Sequence, residues 1–274
     1  MYDRIAVPLD GSATAFRAIG PARRVARAHD AGLELVTVAT DRRTAEAVLT
    51  EGRRLAGSDD VDTVVLEHAD AAVALGDHDA SDPRTLLCMT TRGRGSAHRA
   101  LVGSTALAVV EHSPHAVVLI GPRCDLDRDS PISPVIVCLD GTPEAEHVVG
   151  WATAWCAHTG ASITLLRVVY PIGEPGAGDP PGTATIHDLR YLERVAERVR
   201  ADHPDVTHLT LPHERPTDAI RHASRGHDDA MLAVTTSHPG RTTQLLLGSR
   251  AADVIRAATV PVLVASKHGT APPP

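Results

Sequence analysis

Short apolar runs alternate with amphipathic segments through the first half of the chain. Val, Ile and Leu are concentrated in runs with the length of strands, namely IAVPL (5–9), LELVTV (33–38), VDTVVLE (61–67), TLLCM (85–89) and AVVLI (116–120). Helical patterns separate these runs, including one that ends near Asp30, one over 41–56 and one over 98–112. Apolar strands that alternate with helices predict a parallel sheet covered on both faces.

The second half of the chain repeats the first. RIAVPLDGS from residue 4 aligns with PVIVCLDGT from residue 134, so that Asp140 follows Asp10 by 130 residues. The segment 121–134, GPRCDLDRDSPISP, mixes Gly, Pro and charges without periodicity, which is typical of a linker. We therefore predict two tandem α/β domains, at 1–127 and 128–270. Right-handed crossovers then give a doubly wound, five-stranded parallel sheet in each domain, for which we predict the strand order 3-2-1-4-5.

Composition and charge exclude several classes of protein. Acidic residues outnumber basic ones by 34 to 27, which gives a net charge of -7, and Lys267 is the only lysine. A basic surface for nucleic acid or an anionic membrane is therefore not expected. No apolar run reaches the roughly 18 residues of a membrane span, and MYDRIAVPLDGS lacks a signal-peptide pattern. Four cysteines without a C-x-x-C pair indicate a reduced environment, so we expect a cytoplasmic protein.

Two loops of the first half are expected to meet where the strand order reverses. In the order 3-2-1-4-5 this point lies between strands one and four, and doubly wound sheets bind ligands there. Strand one ends at Asp10, and strand four ends at Thr90, where TTRGRGSAHRALVGST (90–105) begins. A helix N-terminus attracts phosphate through its unpaired N–H groups, and glycines allow close approach. The glycines of this loop are Gly93, Gly95 and Gly103.

The equivalent loop of the second half has lost most of its glycines. It is TTSHPGRTTQLLLGSR (235–250), and its His238-Pro239 step removes one N–H donor from a backbone phosphate site. The His238 side chain could contact a phosphate instead. We expect an asymmetric duplication, in which the first half binds the ligand better than the second.

Other phosphate-binding motifs do not match. A Walker A loop requires G-K-[ST], whereas Lys267 lies between Ser266 and His268. A dinucleotide fingerprint requires a third glycine where His98 stands, and it follows the first strand of the sheet, not the fourth. An adenylating or pyrophosphatase enzyme of the related adenosine-binding fold would have an S-G-G-x-D-S type of loop, where this chain has LDGSATA.

In combination, V-x-x-D-G-S at the end of strand one and G-x-x-G-x9-G-[ST] after strand four resemble the universal stress proteins, here in tandem form. The resemblance extends over nearly the whole chain. It implies an adenine-nucleotide α-hydrolase-like fold that binds ATP, often with a divalent metal such as Mg²⁺. In the first half it implies a nucleotide site at Pro8, Asp10, Val38, Met89, Thr90, Gly93, Gly103, Ser104 and Thr105. In the second half it implies a weaker site at Cys138, Asp140, Val168, Val234, Thr235, His238, Gly248, Ser249 and Arg250.

Some of these residues have a second interpretation that needs no ligand. Asp10 and Asp140 begin turns in which Ser12 and Thr142 can cap the following helices. Thr90 replaces the leading glycine of the family pattern, so we expect an ordinary backbone conformation there. Arg92 and Arg94 either reach a phosphate or lie in solvent.

Neither a catalytic base nor a dedicated metal site is apparent. No carboxylate accompanies the glycines, hydroxyls and arginines of the expected phosphate site, so the chain is at most a slow ATPase. The histidines lack the spacing of a zinc site, and any Mg²⁺ is expected to arrive with the nucleotide. The alternative function is a nucleotide-free tandem scaffold that acts through protein partners.

The strands that end the two halves are HAVVLI (115–120) and VPVLVAS (260–266). Apolar edge strands must be paired or protected. The resemblance implies that these two strands pair, so that the halves form a pseudo-dimer within one chain, and it also allows a homodimer. No motif in the sequence indicates which stress or signal the protein responds to.

Overall fold

A computed structural model describes residues 1–58, 61–91, 102–126, 128–169, 186–224, 227–236, 249–266 and Pro272, with 186–189 and 249–250 described as backbone only. The first half contains β1 (Arg4–Pro8), α1 (Ala13–Phe16), α2 (Ile19–His29), β2 (Gly32–Val38), α3 (Arg42–Ala56), β3 (Asp62–Leu66), α4 (Ala71–Ser81), β4 (Thr85–Thr90), α5 (Ser104–His112) and β5 (Val117–Ile120). The second half contains β6 (Val135–Leu139), a 3₁₀ turn (Glu144–Glu146), α6 (His147–Thr159), β7 (Ile163–Val169), α7 (Ile186–Arg200), β8 (Thr207–Pro212), α8 (Pro216–Ser224), β9 (Met231–Thr235), α9 (Ser249–Ala257) and β10 (Val262–Ala265).

The strands form one sheet in the order β3-β2-β1-β4-β5-β10-β9-β6-β7-β8. The first five positions confirm the predicted order 3-2-1-4-5, and the second half shows the same order when read from β8 toward β10. Neighbouring strands are parallel within each half, whereas β10 and β5 are antiparallel, with Leu263 opposite Val118. The two apolar end strands therefore pair with each other and join the halves edge to edge.

Helices cover both faces of the sheet, and each face has its own apolar core. On one face, α2, α3, α6 and α7 pack over alternate residues of the strands, with Trp155 and Leu165 fully buried among them. On the other face, α4, α5, α8 and α9 enclose a second core around Leu87 and Leu119. Both cores extend through both halves. Among the described residues, no helix is long and apolar enough to cross a membrane.

The structure differs from the sequence prediction in two helices and agrees with it in a third. The helix expected to run to Asp30 is divided into α1 and α2, because Arg17 and Ala18 donate N–H bonds to carbonyls three residues earlier and tighten the chain there. The helix expected from residue 98 begins at Ser104 instead, with Gly103 in an extended N-cap conformation. Helix α3 was predicted over 41–56 and occupies Arg42–Ala56, since Asp41 caps its start and Gly57 its end.

Candidate functional site

The turn after β1 forms the first wall of the candidate site. The Oδ1 atom of Asp10 accepts the backbone N–H of Ser12 at 2.9 Å, and the Ser12 hydroxyl oxygen accepts the N–H of Ala15 at 3.1 Å. Gly11 between them has a φ of 79°, a left-handed conformation that favours glycine. The structural interpretation of Asp10 and Ser12 is confirmed, and it leaves the Asp10 carboxylate at the end of the strand.

The end of β2 lies beside this turn. Leu9 donates its N–H to the Val36 carbonyl at 2.7 Å, and the hydroxyl of buried Thr37 donates to the Leu9 carbonyl at 2.9 Å. The next residue, Val38, is partly exposed at the end of the strand, as is Pro8 at the end of β1. Three of the predicted residues, Pro8, Asp10 and Val38, therefore share one end of the β1–β2 pair.

The end of β4 supplies the second wall. β1 and β4 pair in parallel with Ala6 opposite Leu87, so both strands point their carboxyl ends to the same edge of the sheet. Met89 and Thr90 are buried at the end of β4, and no positive φ occurs at Thr90, as expected. The Gly103 N–H donates to the Thr91 carbonyl at 2.6 Å, which holds the start of α5 against the end of β4.

The N-cap residue of α5 provides no side-chain cap. Gly103 is the N-cap residue, with φ -65° and ψ 149°, and it has no side chain that could accept the N–H groups of the first turn. Ser104 and Thr105 follow it and are exposed. Donors and hydroxyls at a helix start suit a phosphate, and the helix dipole favours negative charge there.

The residues predicted in the two glycine loops are only partly described. Gly93, Gly95, Arg92, Arg94, His238 and Gly248 lie outside the described residues, and so do the side chains of Ser249 and Arg250. The described part of the site consists of the strand ends and the start of α5.

The second half repeats the turn with different contacts. Asp140 Oδ1 accepts both the N–H and the hydroxyl of Thr142, at 3.0 and 2.7 Å, and Thr142 Oγ1 accepts the Ala145 N–H at 3.3 Å. The Thr235 hydroxyl at the end of β9 donates to the Ala145 carbonyl and accepts the Val148 N–H, each at 3.1 Å. These two hydrogen bonds of Thr235 fix the start of α6 against the end of β9. Cys138 and Val168 are partly exposed at the ends of their strands, and Val234 is buried.

Sequence reasoning missed Arg167, which lies beside the second turn. Its guanidinium group packs on Gly141, where a Cβ atom would lie 2.6 Å from Nη2. Its Cζ atom is 5.0 Å from the centre of the Tyr191 ring on α7. Alignment of the two halves at the offset of 130 places Arg167 on Thr37, and this difference in residue type was the available signal.

Neither metal chemistry nor thiol chemistry is evident in the described parts of the chain. No group of three or more His, Cys, Asp or Glu side chains is placed there to hold a metal ion. The four cysteines are free, and burial raises the pKa of Cys124 and Cys156 to about 12, so that both are neutral thiols.

Comparison with protein families identifies the chain. The model of the universal stress protein family matches residues 1–52, 41–121 and 131–266. The chain belongs to the universal stress protein family. Because the matches lie in both halves, this universal stress protein is of the tandem form that its repeat predicts.

Individual relatives agree with this assignment. A universal stress protein of Mycolicibacterium smegmatis is 29% identical over 209 residues, which is 74% of this chain and 68% of the relative. One of Mycobacterium tuberculosis is 29% identical over 193 residues, so this chain spans less than two thirds of it, 63%. The crystal structure of a universal stress protein from Archaeoglobus fulgidus is 19% identical, covers 96% of each chain and has a TM-score of 0.66, which shows a shared fold. A universal stress protein solved in complex with cAMP is 25% identical over 43% of this chain, with a TM-score of 0.38.

Proposed function

We propose that this universal stress protein binds an adenine nucleotide, ATP, at the carboxyl ends of β1 and β4 in its first half, and that it acts in a stress response. The observation that carries the proposal is the start of α5, where the N-cap residue Gly103 has no side chain to cap the helix and bonds to the end of β4. Membership of the family supports the same site, because the chain retains the aspartate turn and the G-[ST] step of the family pattern.

The phosphates would bind at the α5 end of the site. The first-turn N–H groups donate without a basic side chain, which suits a chain with a net charge of -7. Ser104 and Thr105 add exposed hydroxyls on the same turn. We place Gly93 in this part of the site as well, and a Mg²⁺ ion would enter bound to the phosphates.

The adenosine would bind across the ends of β1 and β2. Pro8 and Val38 offer partly exposed apolar surface to the base. A carboxylate has about four acceptor positions, so the bond from Ser12 to Asp10 is compatible with a further bond from a ribose hydroxyl. Met89 and Thr90 would form the floor between the two ends of the ligand.

Titration of ATP with Mg²⁺ into nucleotide-free protein tests the site. Gly103 has dihedral angles that any residue can adopt, so Gly103→Asp is expected to fold. Its carboxylate would cap α5 and repel phosphate, and we expect the affinity to fall at least about tenfold, or about 1.4 kcal/mol.

Gly103→Asn is the matched control, because it has the same shape and can cap the helix but carries no charge. We expect it to bind ATP more tightly than Gly103→Asp. Wild-type affinity in Gly103→Asp would contradict binding at α5, and equal losses in both variants would contradict the electrostatic account.

A nucleotide-free scaffold is the second candidate, and the outer edges of the sheet favour it. Strands β3 and β8 form these edges, where Val65 is 37% and Leu209 42% exposed. An exposed edge strand can pair with another chain, including a second copy, in which case the protein would be a homodimer. Absence of nucleotide after purification, together with no ATP binding at millimolar concentration, would favour this function.

The remaining expectations belong to the same proposal. We propose two domains, at 1–127 and 128–270. The first would bind the nucleotide, and the second would have a weaker site, or none, around Asp140, Val168 and Thr235. We propose a cytoplasmic location and, at most, slow ATP hydrolysis. A phosphate-release assay on the ATP-loaded protein measures the last of these directly.

A further inference from the structure

The helix that begins at the proposed phosphate site, α5, is held at both of its ends. At its start, the Gly103 N–H donates to the Thr91 carbonyl at 2.6 Å. At its other end, Ser113 is the C-cap residue, and its N–H donates to the Val109 carbonyl at 2.7 Å. Because α5 has only nine residues and is about 13 Å long, contacts at its C-terminal end also determine where its first turn lies.

A buried carboxyl group of α4 binds this C-terminal end. Asp79 is 0% exposed, and its Oδ2 atom accepts the Ser113 hydroxyl at 2.5 Å. The same oxygen lies 3.1 Å from His115 Nδ1, and Ser113 Oγ accepts the His115 N–H at 3.1 Å. The other oxygen of Asp79 has no hydrogen-bond partner in the described parts of the chain. The described hydrogen bonds of this carboxyl group are thus made to the turn that follows α5.

The packing of the two helices is closest at the same end of α5. A Cβ atom on Gly76 of α4 would lie 3.1 Å from the Cβ atom of His112, the last residue of α5. Gly76 and Asp79 are three positions apart and therefore lie on the same side of α4. Backbone contact and hydrogen bonds together fix the C-terminal end of α5 on α4.

The second half is built without this cluster. The start of α9 follows the start of α5 by 145 residues, and at the same spacing the equivalents of Asp79, Ser113 and His115 are Ser224, Ala258 and Val260. Alanine and valine cannot make these side-chain bonds, and the Ser224 hydroxyl donates within its own helix, to the Arg221 carbonyl at 3.1 Å. All three equivalents are buried. The fold therefore forms without the cluster, which points to a role specific to the first half.

We propose that Asp79, acting through Ser113, is a positioning residue of the nucleotide site, which holds α5 so that its first turn meets the phosphates. This inference rests on the proposed function. Asp79 binds the end of α5 that lies away from the phosphates, so it acts without contact to the nucleotide. The adenosine end of the site belongs to β1 and β2, and its affinity should not depend on Asp79. The cluster adds a second difference between the halves to that of the glycine loops.

Titration of the whole chain with ATP and Mg²⁺, and separately with adenosine, tests the role of Asp79. Asp79→Ser gives the first half the residue that the second half has at this place. We expect its affinity for ATP to fall at least about fivefold and its affinity for adenosine to stay within about twofold of wild type. Ser113→Ala removes the hydroxyl between Asp79 and α5, and we expect the same result. A merely structural role would lower both affinities together.

Ser224→Ala is the matched control. Ser224 is 2% exposed, as is Ser113, but its hydroxyl bonds within α8. We expect this variant to bind ATP as wild type does. Circular dichroism verifies that each variant is folded.

The outcomes separate this inference from the function on which it rests. Wild-type affinity for ATP in Asp79→Ser or Ser113→Ala would overturn the positioning role and leave the nucleotide site in place. Equal losses for ATP and adenosine, or a loss in Ser224→Ala as large as in Ser113→Ala, would do the same. If wild type binds ATP no more tightly than adenosine, phosphate binding at α5 is wrong and so is the role of Asp79. If wild type binds neither ligand, the proposed function is wrong as well.

Discussion

At the scale of single residues, His29 shows how the two halves are held together. The residue is 4% exposed, and its imidazole makes an edge contact with Trp155 of the second half, with ring centres 4.3 Å apart. Its ring also stacks on His158 at 5.1 Å and contacts Tyr2. Neither ring nitrogen of His29 has a hydrogen-bond partner among the described residues. The histidine is therefore buried in its neutral form.

This burial makes stability depend on pH. Desolvation, the neighbouring His158 and the N-terminal amino group lower the pKa of His29 from 6.5 to about 3. A lowered pKa means that only the unfolded chain takes up this proton between pH 6.5 and 3, so stability falls as the pH falls through that range. At pH 5 we expect a loss of about 2 kcal/mol relative to pH 7. Urea unfolding across this pH range measures the loss.

His29→Phe is the control for this prediction, because phenylalanine retains an aromatic ring for the Trp155 contact and cannot be protonated. We expect a smaller loss of stability at pH 5 than in wild type. The same pH dependence in both proteins would assign the effect to other groups.

Residue roles could be predicted from the sequence where they are local. Asp10 and Ser12 are two positions apart, and their turn was predicted from DGS alone. Arg167 could not be placed in this way, because its position depends on Gly141 and Tyr191, which come from a different loop and a different helix.

At the scale of elements, α9 approaches the end of β5 closely enough to require a glycine. A Cβ atom on Gly121 would lie 2.3 Å from the Ile255 carbonyl oxygen, which is backbone and cannot turn away. The Asp125 N–H also donates to the Thr259 carbonyl at 2.9 Å, so the linker follows the end of α9. Gly121 therefore lets an element of the second half pack on a strand of the first.

Substitution of this glycine tests the packing. We expect Gly121→Ala to lower the free energy of unfolding by about 1–3 kcal/mol, because the backbone of α9 or β5 must shift. Gly32→Ala is the matched control, since its Cβ would lie at an ordinary 3.7 Å from the Asp3 carbonyl oxygen. Equal stability of the two variants in urea would contradict a close approach at Gly121.

The helices and strands could be predicted from the spacing of apolar residues. Their exact ends could not, because they depend on tertiary contacts that this spacing does not show. The apolar run TLLCM predicted β4 within one residue of its observed bounds, Thr85–Thr90. The interruption between α1 and α2 was not predicted, because neither Arg17 nor Ala18 is a helix-breaking residue. In α5, the observed start follows the bond from Gly103 to Thr91, and that contact comes from tertiary structure.

At the scale of the whole molecule, polar contacts of a buried arginine join the two halves, in addition to the shared sheet and the shared apolar cores. The buried Arg24 of α2 donates to the Ser130 carbonyl at 3.0 Å and to the Asp229 carboxylate at 3.3 Å, just before β9. Burial lowers the pKa of Arg24, although Asp229 opposes this effect. The halves are therefore joined in two places: by the β5–β10 strand pairing within the sheet, and by the contacts of Arg24 on the face that α2 covers.

We therefore expect the two halves to unfold together. Both tryptophans, Trp151 and Trp155, lie on α6, so their fluorescence reports on the second half and its contact with Tyr2 and His29. Far-ultraviolet circular dichroism reports on the whole chain. Coincident urea transitions by the two probes are predicted, and a separate fluorescence transition would contradict coupled halves.

The topology and the pairing of the two end strands could be predicted at this scale, whereas the polar contacts between the halves could not. Alternation of strands and helices, with right-handed crossovers, predicted a doubly wound parallel sheet, and the predicted order 3-2-1-4-5 is confirmed. The contact of Arg24 with Asp229 joins residues that are 205 positions apart, and no local pattern indicates such a pair.

Hydrogen exchange with and without ATP and Mg²⁺ is the most direct test of a nucleotide site in the first half. We predict that ATP slows exchange in peptides from the β1 turn (8–16) and from the start of α5 (102–112). Exchange in the equivalent peptides of the second half (138–148 and 249–257) should remain unchanged. Protection of the second half, or of neither half, would contradict the account.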